Sequence, residues 1–297
     1  MDMIKKFIHI GIVSLVLLIG LSVHAQQQGQ TLSKTCDPAL QKGLQACLTD
    51  LKLNEAVQDG SLCIVLVDIT DLSTPRMAYV NPNRMMYAAS LPKIAILLGA
   101  FERIKQGEMD LDEKTLDTLK LMIRNSSNNA ANEMLNCVGK DYLCDLLQSP
   151  RYQFYDPDRN GGLWIGKEYG KSSAWKRDPL HNLSHGATAL QVARFYYMLE
   201  TGQLVSPEMS RLMKLILGDP AINHKFVKGL KKIHPDSRIY RKSGTWHQYH
   251  SDSGIIERND HRYIAVALTK SAKGEKWLSE LIVALDELIC HSDSTPN

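Results

Sequence analysis

The chain has 297 residues, 44% of them hydrophobic, and its 35 Lys and Arg against 32 Asp and Glu leave a net charge of +3. Acids and bases are interspersed and only 7% of residues are aromatic, so the sequence offers neither the basic footprint nor the stacking surface of a nucleic-acid binder. The size and apolar content suit one large domain or two lobes sharing a core.

Lys5 and Lys6 precede an apolar run from Phe7 to Val23, which ends at Val23-His24-Ala25. This pattern predicts a signal peptide over 1–25, with the mature chain starting near Gln26. No basic stop-transfer flank follows and the run is short for a span. The expected product is periplasmic or secreted, with no stable membrane anchor after cleavage. No Cys follows the run, so lipid attachment there is not expected.

Apolar residues at helical spacing predict an amphipathic helix over 37–53. The dense β-branched run 62–68 reads as a strand, with a partner over 77–80 after the turn at Ser73-Thr74-Pro75. The period then changes: 94–101 is apolar nearly all round, the mark of a buried helix. Further helical patterns cover 116–123, 130–138, 189–200 and 207–217. Strand signals return at 239–242, 254–257 and 262–269, and a last amphipathic helix covers 276–289. Lys228, Lys231 and Lys232 read as a solvated helix end. The expected fold class is α/β plus all-α: an antiparallel sheet built from both chain ends and flanked by the terminal helices, with an inserted helical lobe. The lobes are expected at 26–86 with 232–297, and at 87–231. Segments distant in sequence would then meet at the lobe boundary, a usual place for a cleft.

Six cysteines in an exported chain can pair, and the sequence leaves the connectivity open. Cys137 and Cys144 are close enough for a local bridge, and Cys36 or Cys47 would reach Cys290 if the terminal helices lie side by side. Cys63, inside an apolar strand, reads as a buried thiol. No Cys-x-x-Cys spacing supports zinc. The segment 156–162 has the look of a calcium loop but lacks the acidic residue at the required distance, so a surface turn is expected there. No metal and no cofactor are expected.

Chemistry is concentrated in three short polar motifs: Ser90-Leu91-Pro92-Lys93, Ser126-Ser127-Asn128 and Lys242-Ser243-Gly244. Ser and Lys three apart at a helix start project from one face, where the serine oxygen meets the positive end of the helix dipole. A lysine in a partly dry cleft beside a second cation favours its neutral form and can accept the serine proton. The pattern alone is cheap, since Ser173-Ala174-Trp175-Lys176 repeats it, and taken by itself an N-cap serine beside a surface lysine is the commoner explanation. The second motif also suits a helix cap, and its frame is open between Ser126 and Ser127. At the end of the third predicted strand, Lys242 and Ser243 could hold a substrate carboxylate. Gly244 would let a ligand lie along the strand edge.

Taken together and in this order, the motifs resemble those of the penicillin-recognising serine enzymes, specifically the class A β-lactamase branch. Ile123-Arg124-Asn125-Ser126-Ser127-Asn128-Asn129-Ala130-Ala131-Asn132 is similar to the family segment Ile-x-x-Ser-Asp-Asn-Thr-Ala-Ala-Asn, which fixes the frame on Ser126 and Asn128. The resemblance implies a β-lactamase/transpeptidase-like fold, with Ser90 as nucleophile, Lys93 as base and Ser126 as proton shuttle. It further implies Asn128 as a substrate amide contact, Lys242 as carboxylate anchor, and backbone N–H groups of Ser90 and Thr245 as the oxyanion hole. Ser243, Gly244, Thr245 and Asn182 complete the expected substrate-binding set.

The family's deacylating segment reads Glu-Pro-x-x-Asn. Its nearest match is Asp178-Pro179-Leu180-His181-Asn182, one methylene short, which makes Asp178 the expected deacylating base and puts efficient release in question. His181 and His185 flank it as alternative bases. Trp246, His247, Tyr249 and His250 are bulky where small residues are usual. The sequence thus points to a serine hydrolase with a small-molecule β-lactam or D-peptide substrate, expected as a monomer. Its alternatives are a D-alanyl-D-alanine carboxypeptidase or cell-wall amidase and a non-turnover penicillin-binding sensor.

Overall fold

The computed structural model describes Leu32 and residues 35–290. The expected signal peptide over 1–25 lies outside the described residues. Chain order is α1 (Pro38–Asp50), α2 (Asn54–Gln58), β1 (Leu62–Asp68), β2 (Arg76–Val80), β3 (Met86–Tyr87), α3 (Lys93–Gln106), α4 (Glu113–Arg124), α5 (Asn128–Val138) and α6 (Lys140–Gln148). There follow β4 (Tyr155–Asp156), β5 (Gly161–Gly162), β6 (Trp164–Ile165), β7 (His185–Ala187), α7 (Ala189–Glu200), α8 (Pro207–Leu217) and α9 (Lys225–Ile233). The chain closes with β8 (Arg238–Trp246), β9 (Tyr249–Arg258), β10 (His261–Lys270) and α10 (Gly274–Cys290).

The main sheet is antiparallel, in the order β2-β1-β10-β9-β8. Both chain ends therefore contribute strands, and β8 forms one edge. Every residue of β1 is buried, because its alternating side chains serve two different cores. Leu62, Ile64 and Leu66 join the layer of α1, α9 and α10, whereas Cys63, Val65 and Val67 face α3 and α7. The outer layer includes α9, whose Phe226, Val227 and Leu230 pack there. That helix was expected in the helical lobe; it belongs with the sheet because Gly229 lets it approach α10, where an added Cβ would lie 2.2 Å from the Ser279 carbonyl oxygen.

Helix α3 runs through the centre of the molecule, with Lys93 to Glu102 all buried. It ends at Gly107, whose φ of 74° supplies the left-handed cap. The segment 156–162 is a tight hairpin: Asp156 caps a short 3-10 turn, and Tyr155 pairs with Gly162. All six cysteines are free, so neither of the bridges considered from the sequence is formed; Cys63 is fully buried. Among the described residues there is no cluster of three or more side chains able to hold a metal, and no helix long and apolar enough to cross a membrane.

One buried ion pair ties β8 to β9. Arg241 donates from Nε and Nη2 to the two carboxylate oxygens of Asp252, both at 2.8 Å, and Asp252 also accepts from the Phe226 N–H of α9. Removing one partner strands the other charge without water, at a cost of about 3–5 kcal/mol. Asp252→Ala is therefore expected to lower unfolding free energy by about that amount in a urea titration; an unchanged midpoint would contradict the role given to this pair.

Candidate active site

Three segments converge at the edge formed by β8. The first is the turn entering α3. Leu91 N–H donates to the Ala88 carbonyl and Lys93 N–H to the Ser90 carbonyl, so Ser90 and Lys93 share one tight turn. Ala89, just before the serine, has a φ of 52°. For a residue with a Cβ this is a strained conformation of the kind that clusters at functional sites. Two anchors fix the turn: Ala88 N–H donates to the His185 carbonyl of β7, and Ser251 Oγ donates to the Ala88 carbonyl.

Lys93 is fully buried. Its Nζ donates to the Ser126 carbonyl at 2.6 Å, to Asn128 Oδ1 at 2.9 Å and more weakly to the Ser127 carbonyl at 3.3 Å. The ring of Tyr169 covers it, with its centroid 4.4 Å away. Carbonyl dipoles and a π-face favour the ammonium. No carboxylate lies within hydrogen-bonding or ion-pair distance among the described residues, however, and burial prevails, lowering the Lys93 pKa to about 7.

The second segment links α4 and α5. Ser126 takes a φ of 57°, and Ser127 caps α5 by accepting from the Ala130 N–H. The capping and site readings of this motif thus both hold, on adjacent serines. Asn128 opens the helix.

The third segment is β8. Lys242 is 1% exposed; it donates to Ser126 Oγ at 2.8 Å and to the Ser243 carbonyl at 2.8 Å. Its pKa falls well below the usual lysine value, first through burial and then through the charge of Lys93. Ser243 Oγ pairs with His224 Nε2 at 3.0 Å. At Gly244 an added Cβ would sit 2.2 Å from the Ala88 oxygen and 2.7 Å from the Ser90 nitrogen, so only glycine lets β8 run this close to the serine turn. Ser90, Lys93, Ser126, Asn128, Lys242, Ser243, Gly244 and Thr245 therefore belong to one constellation.

Asp178 and Asn182 do not join it. Asp178 is buried inside its own loop, where Oδ1 accepts from Tyr155 OH (2.9 Å), His181 N–H (3.0 Å) and Leu180 N–H (3.2 Å), and Oδ2 accepts from Leu183 N–H (2.7 Å). Four donors saturate the carboxylate, and none comes from the constellation. Asn182 is exposed at a φ of 54°, with its backbone closing the same loop. The short aspartate is thus a loop organiser. His181 lies on the exposed loop against Asn160. The second Ser-x-x-Lys ends up in a surface loop, with Ser173 and Lys176 exposed.

Several residues at the site went unrecognised in the sequence. Lys225, at the first turn of α9, is fully buried and donates to the Gly244 carbonyl (2.6 Å), Thr245 Oγ1 (2.7 Å) and the Ser251 carbonyl (3.1 Å). It clamps the end of β8, and burial lowers its pKa to about 8. Burial likewise holds His224 neutral, with its pKa lowered to about 3. Tyr169 is held by Asn132 on α5, which accepts from its N–H at 2.8 Å and donates to its carbonyl at 2.9 Å. Within the 246–250 patch, Trp246 is 56% exposed, Tyr249 packs edge-on against Tyr87, and His250 is buried.

A family model described as the Beta-lactamase enzyme family matches residues 52–116 and 114–290. The chain belongs to that family. Comparison with curated proteins gave no match. Among solved structures, a β-lactamase from Sphaerobacter thermophilus DSM 20745 superposes with a TM-score of 0.63 at 17% identity, covering 86% of this chain and 99% of that one. A β-lactamase from Chitinophaga pinensis DSM 2588 gives 0.62 at 16%, covering 83% and 99%. A structure of PBP-A gives 0.60 at 15%, covering 79% and 94%. At such identities the likeness establishes the fold: this β-lactamase-family chain has the β-lactamase/transpeptidase-like architecture.

Asp178→Ala is expected to destabilise this family member by about 2–4 kcal/mol, because it strands buried donors. Release of an acyl group from the site is expected to stay unchanged. Thermal melting and an adduct-decay assay check both; adduct accumulation in Asp178→Ala would restore Asp178 as the deacylating base.

Proposed function

We propose that the chain is an exported, monomeric serine hydrolase that opens a β-lactam amide by forming an acyl-enzyme on Ser90. The observation that carries this reading is the buried Lys93, one turn from Ser90, with a pKa brought to about 7. In its neutral form the amine has two N–H groups for its two shorter contacts, on the Ser126 carbonyl and Asn128, and keeps a lone pair for the serine proton.

As Lys93 takes that proton, Ser90 Oγ bonds to the lactam carbonyl carbon. Charge develops on the carbonyl oxygen, where N–H groups of Ser90 and Thr245 would meet it. Ser126, paired with Lys242, then delivers its proton to the ring nitrogen as the C–N bond breaks, and the proton held by Lys93 passes to Ser126 Oγ, which restores both groups. Lys242, Ser243 and Thr245 attract the substrate carboxylate, and Asn128 contacts the side-chain amide. With no carboxylate beside Lys93 among the described residues, penicillin binding with slow release is favoured over rapid hydrolysis, which also leaves a D-peptide amide as a physiological substrate.

Labelling by a fluorescent penicillin is expected in the wild type and absent in Ser90→Ala. Lys93→Met is expected to slow acylation by about 10²–10⁴-fold. Because the base must be unprotonated, the acylation rate should rise with pH through about 7 and level off above it. Lys242, Tyr169 and His185 are the other titratable groups near Lys93, and burial holds His185 neutral down to about 4. A rate that stays flat through neutrality would remove Lys93 from the role of base.

A further inference from the structure

Tyr169 occupies the side of Lys93 that neither Ser126 nor Asn128 covers. Its ring centroid is 4.4 Å from Nζ, and the residue is 8% exposed. Its placement is fixed from two directions. Asn132, which holds both the N–H and the carbonyl of Tyr169, stands one helical turn after Asn128, so one face of α5 binds Lys93 and Tyr169 together. The ring also packs on His185, with centroids 4.4 Å apart and planes inclined at 33°, and Tyr87 meets His185 edge-on. The Tyr169 hydroxyl is buried with no hydrogen-bond partner among the described residues, and His185 Nδ1 pairs with Ser184 Oγ at 3.2 Å, so the two rings meet each other by packing alone.

Release of an acyl group needs a water oxygen to bond to the ester carbonyl carbon while the bond from that carbon to Ser90 Oγ breaks. One water proton returns to Oγ, and the other leaves with the product acid. A base must hold a proton during attack, and Lys93 is the titratable amine nearest Ser90 in the turn. Its contacts are two carbonyls, one amide oxygen and an aromatic face, which leave no place for water on the tyrosine side.

Resting on the reading above, we propose that Tyr169 is a positioning residue that makes the Ser90 acyl-enzyme long-lived, by sealing Lys93 from water. The protein then acts as a covalent trap for β-lactam-type amides rather than as a rapid hydrolase. The seal is apolar, so the hydroxyl is dispensable and the ring is not.

The test measures formation and decay of a penicillin adduct by intact-protein mass spectrometry. At a pH high enough to keep Lys93 unprotonated in both proteins, Tyr169→Ala is expected to shorten adduct lifetime by about tenfold or more, with acylation close to wild type at that pH. Tyr169→Phe should leave both steps unchanged. If Tyr169→Ala does not fold, His185→Ala loosens the same stack from behind and should shorten the lifetime in the same direction. Hydroxylamine, a small external nucleophile, should accelerate release more in the opened variant than in wild type. An adduct as durable in Tyr169→Ala and His185→Ala as in wild type would overturn the seal while leaving Ser90 acylation standing. A wild type that forms no adduct would overturn the Ser90 reading itself, and the seal with it.

Discussion

A fully buried lysine with no carboxylate partner among the described residues is the constraint around which the molecule is arranged. Taking a lysine out of water costs several kcal/mol unless another charge compensates. Lys93 receives only carbonyl and amide oxygens and the face of an aromatic ring. The balance is a group titrating near neutrality, able to lose and regain a proton. A second buried lysine, Lys242, has its own pKa lowered, first by burial and then by the charge of Lys93.

The fold supplies the site in three pieces, each fixed by its own local chemistry. The strained Ala89 turn presents Ser90 and Lys93, the Ser127 cap presents Ser126 and Asn128, and the edge strand β8 presents Lys242 to Thr245. The first two are joined by Lys93, and the last two by the Lys242–Ser126 hydrogen bond. Gly244 sets the distance of closest approach between strand and turn. Behind the strand, Lys225 and the Arg241–Asp252 pair hold β8 against β9 and α9, so this edge of the candidate site rests on buried polar contacts rather than on a loop.

Much of this was legible in the sequence, for reasons that differ by residue. The two-sided burial of β1 and the all-apolar α3 produce strong hydrophobic periods, and the Ser90, Ser126 and Lys242 motifs stand out as polar islands within such runs. Of helix α9 only a solvated, lysine-rich end is legible, because its lysines dominate the segment and Gly229 interrupts it, although that glycine is what allows it to dock. Asp178 was misread because its motif has nearly the family's spacing. The deciding fact is that loop N–H groups and Tyr155 saturate the carboxylate, and that can be seen only in three dimensions. Tyr169 carries no motif of its own. Its one sequence trace is Asn132, the last residue of the segment that fixed the frame on Ser126.

Burial, and not a partner acid, brings Lys93 to neutrality beside Ser90. Nuclear magnetic resonance of side-chain-labelled lysine, assigned by comparison with Lys93→Arg, measures this directly as a titration. The account predicts one midpoint near 7 that is absent from the variant. A Lys93 resonance titrating near the ordinary lysine value of about 10.4 would contradict it.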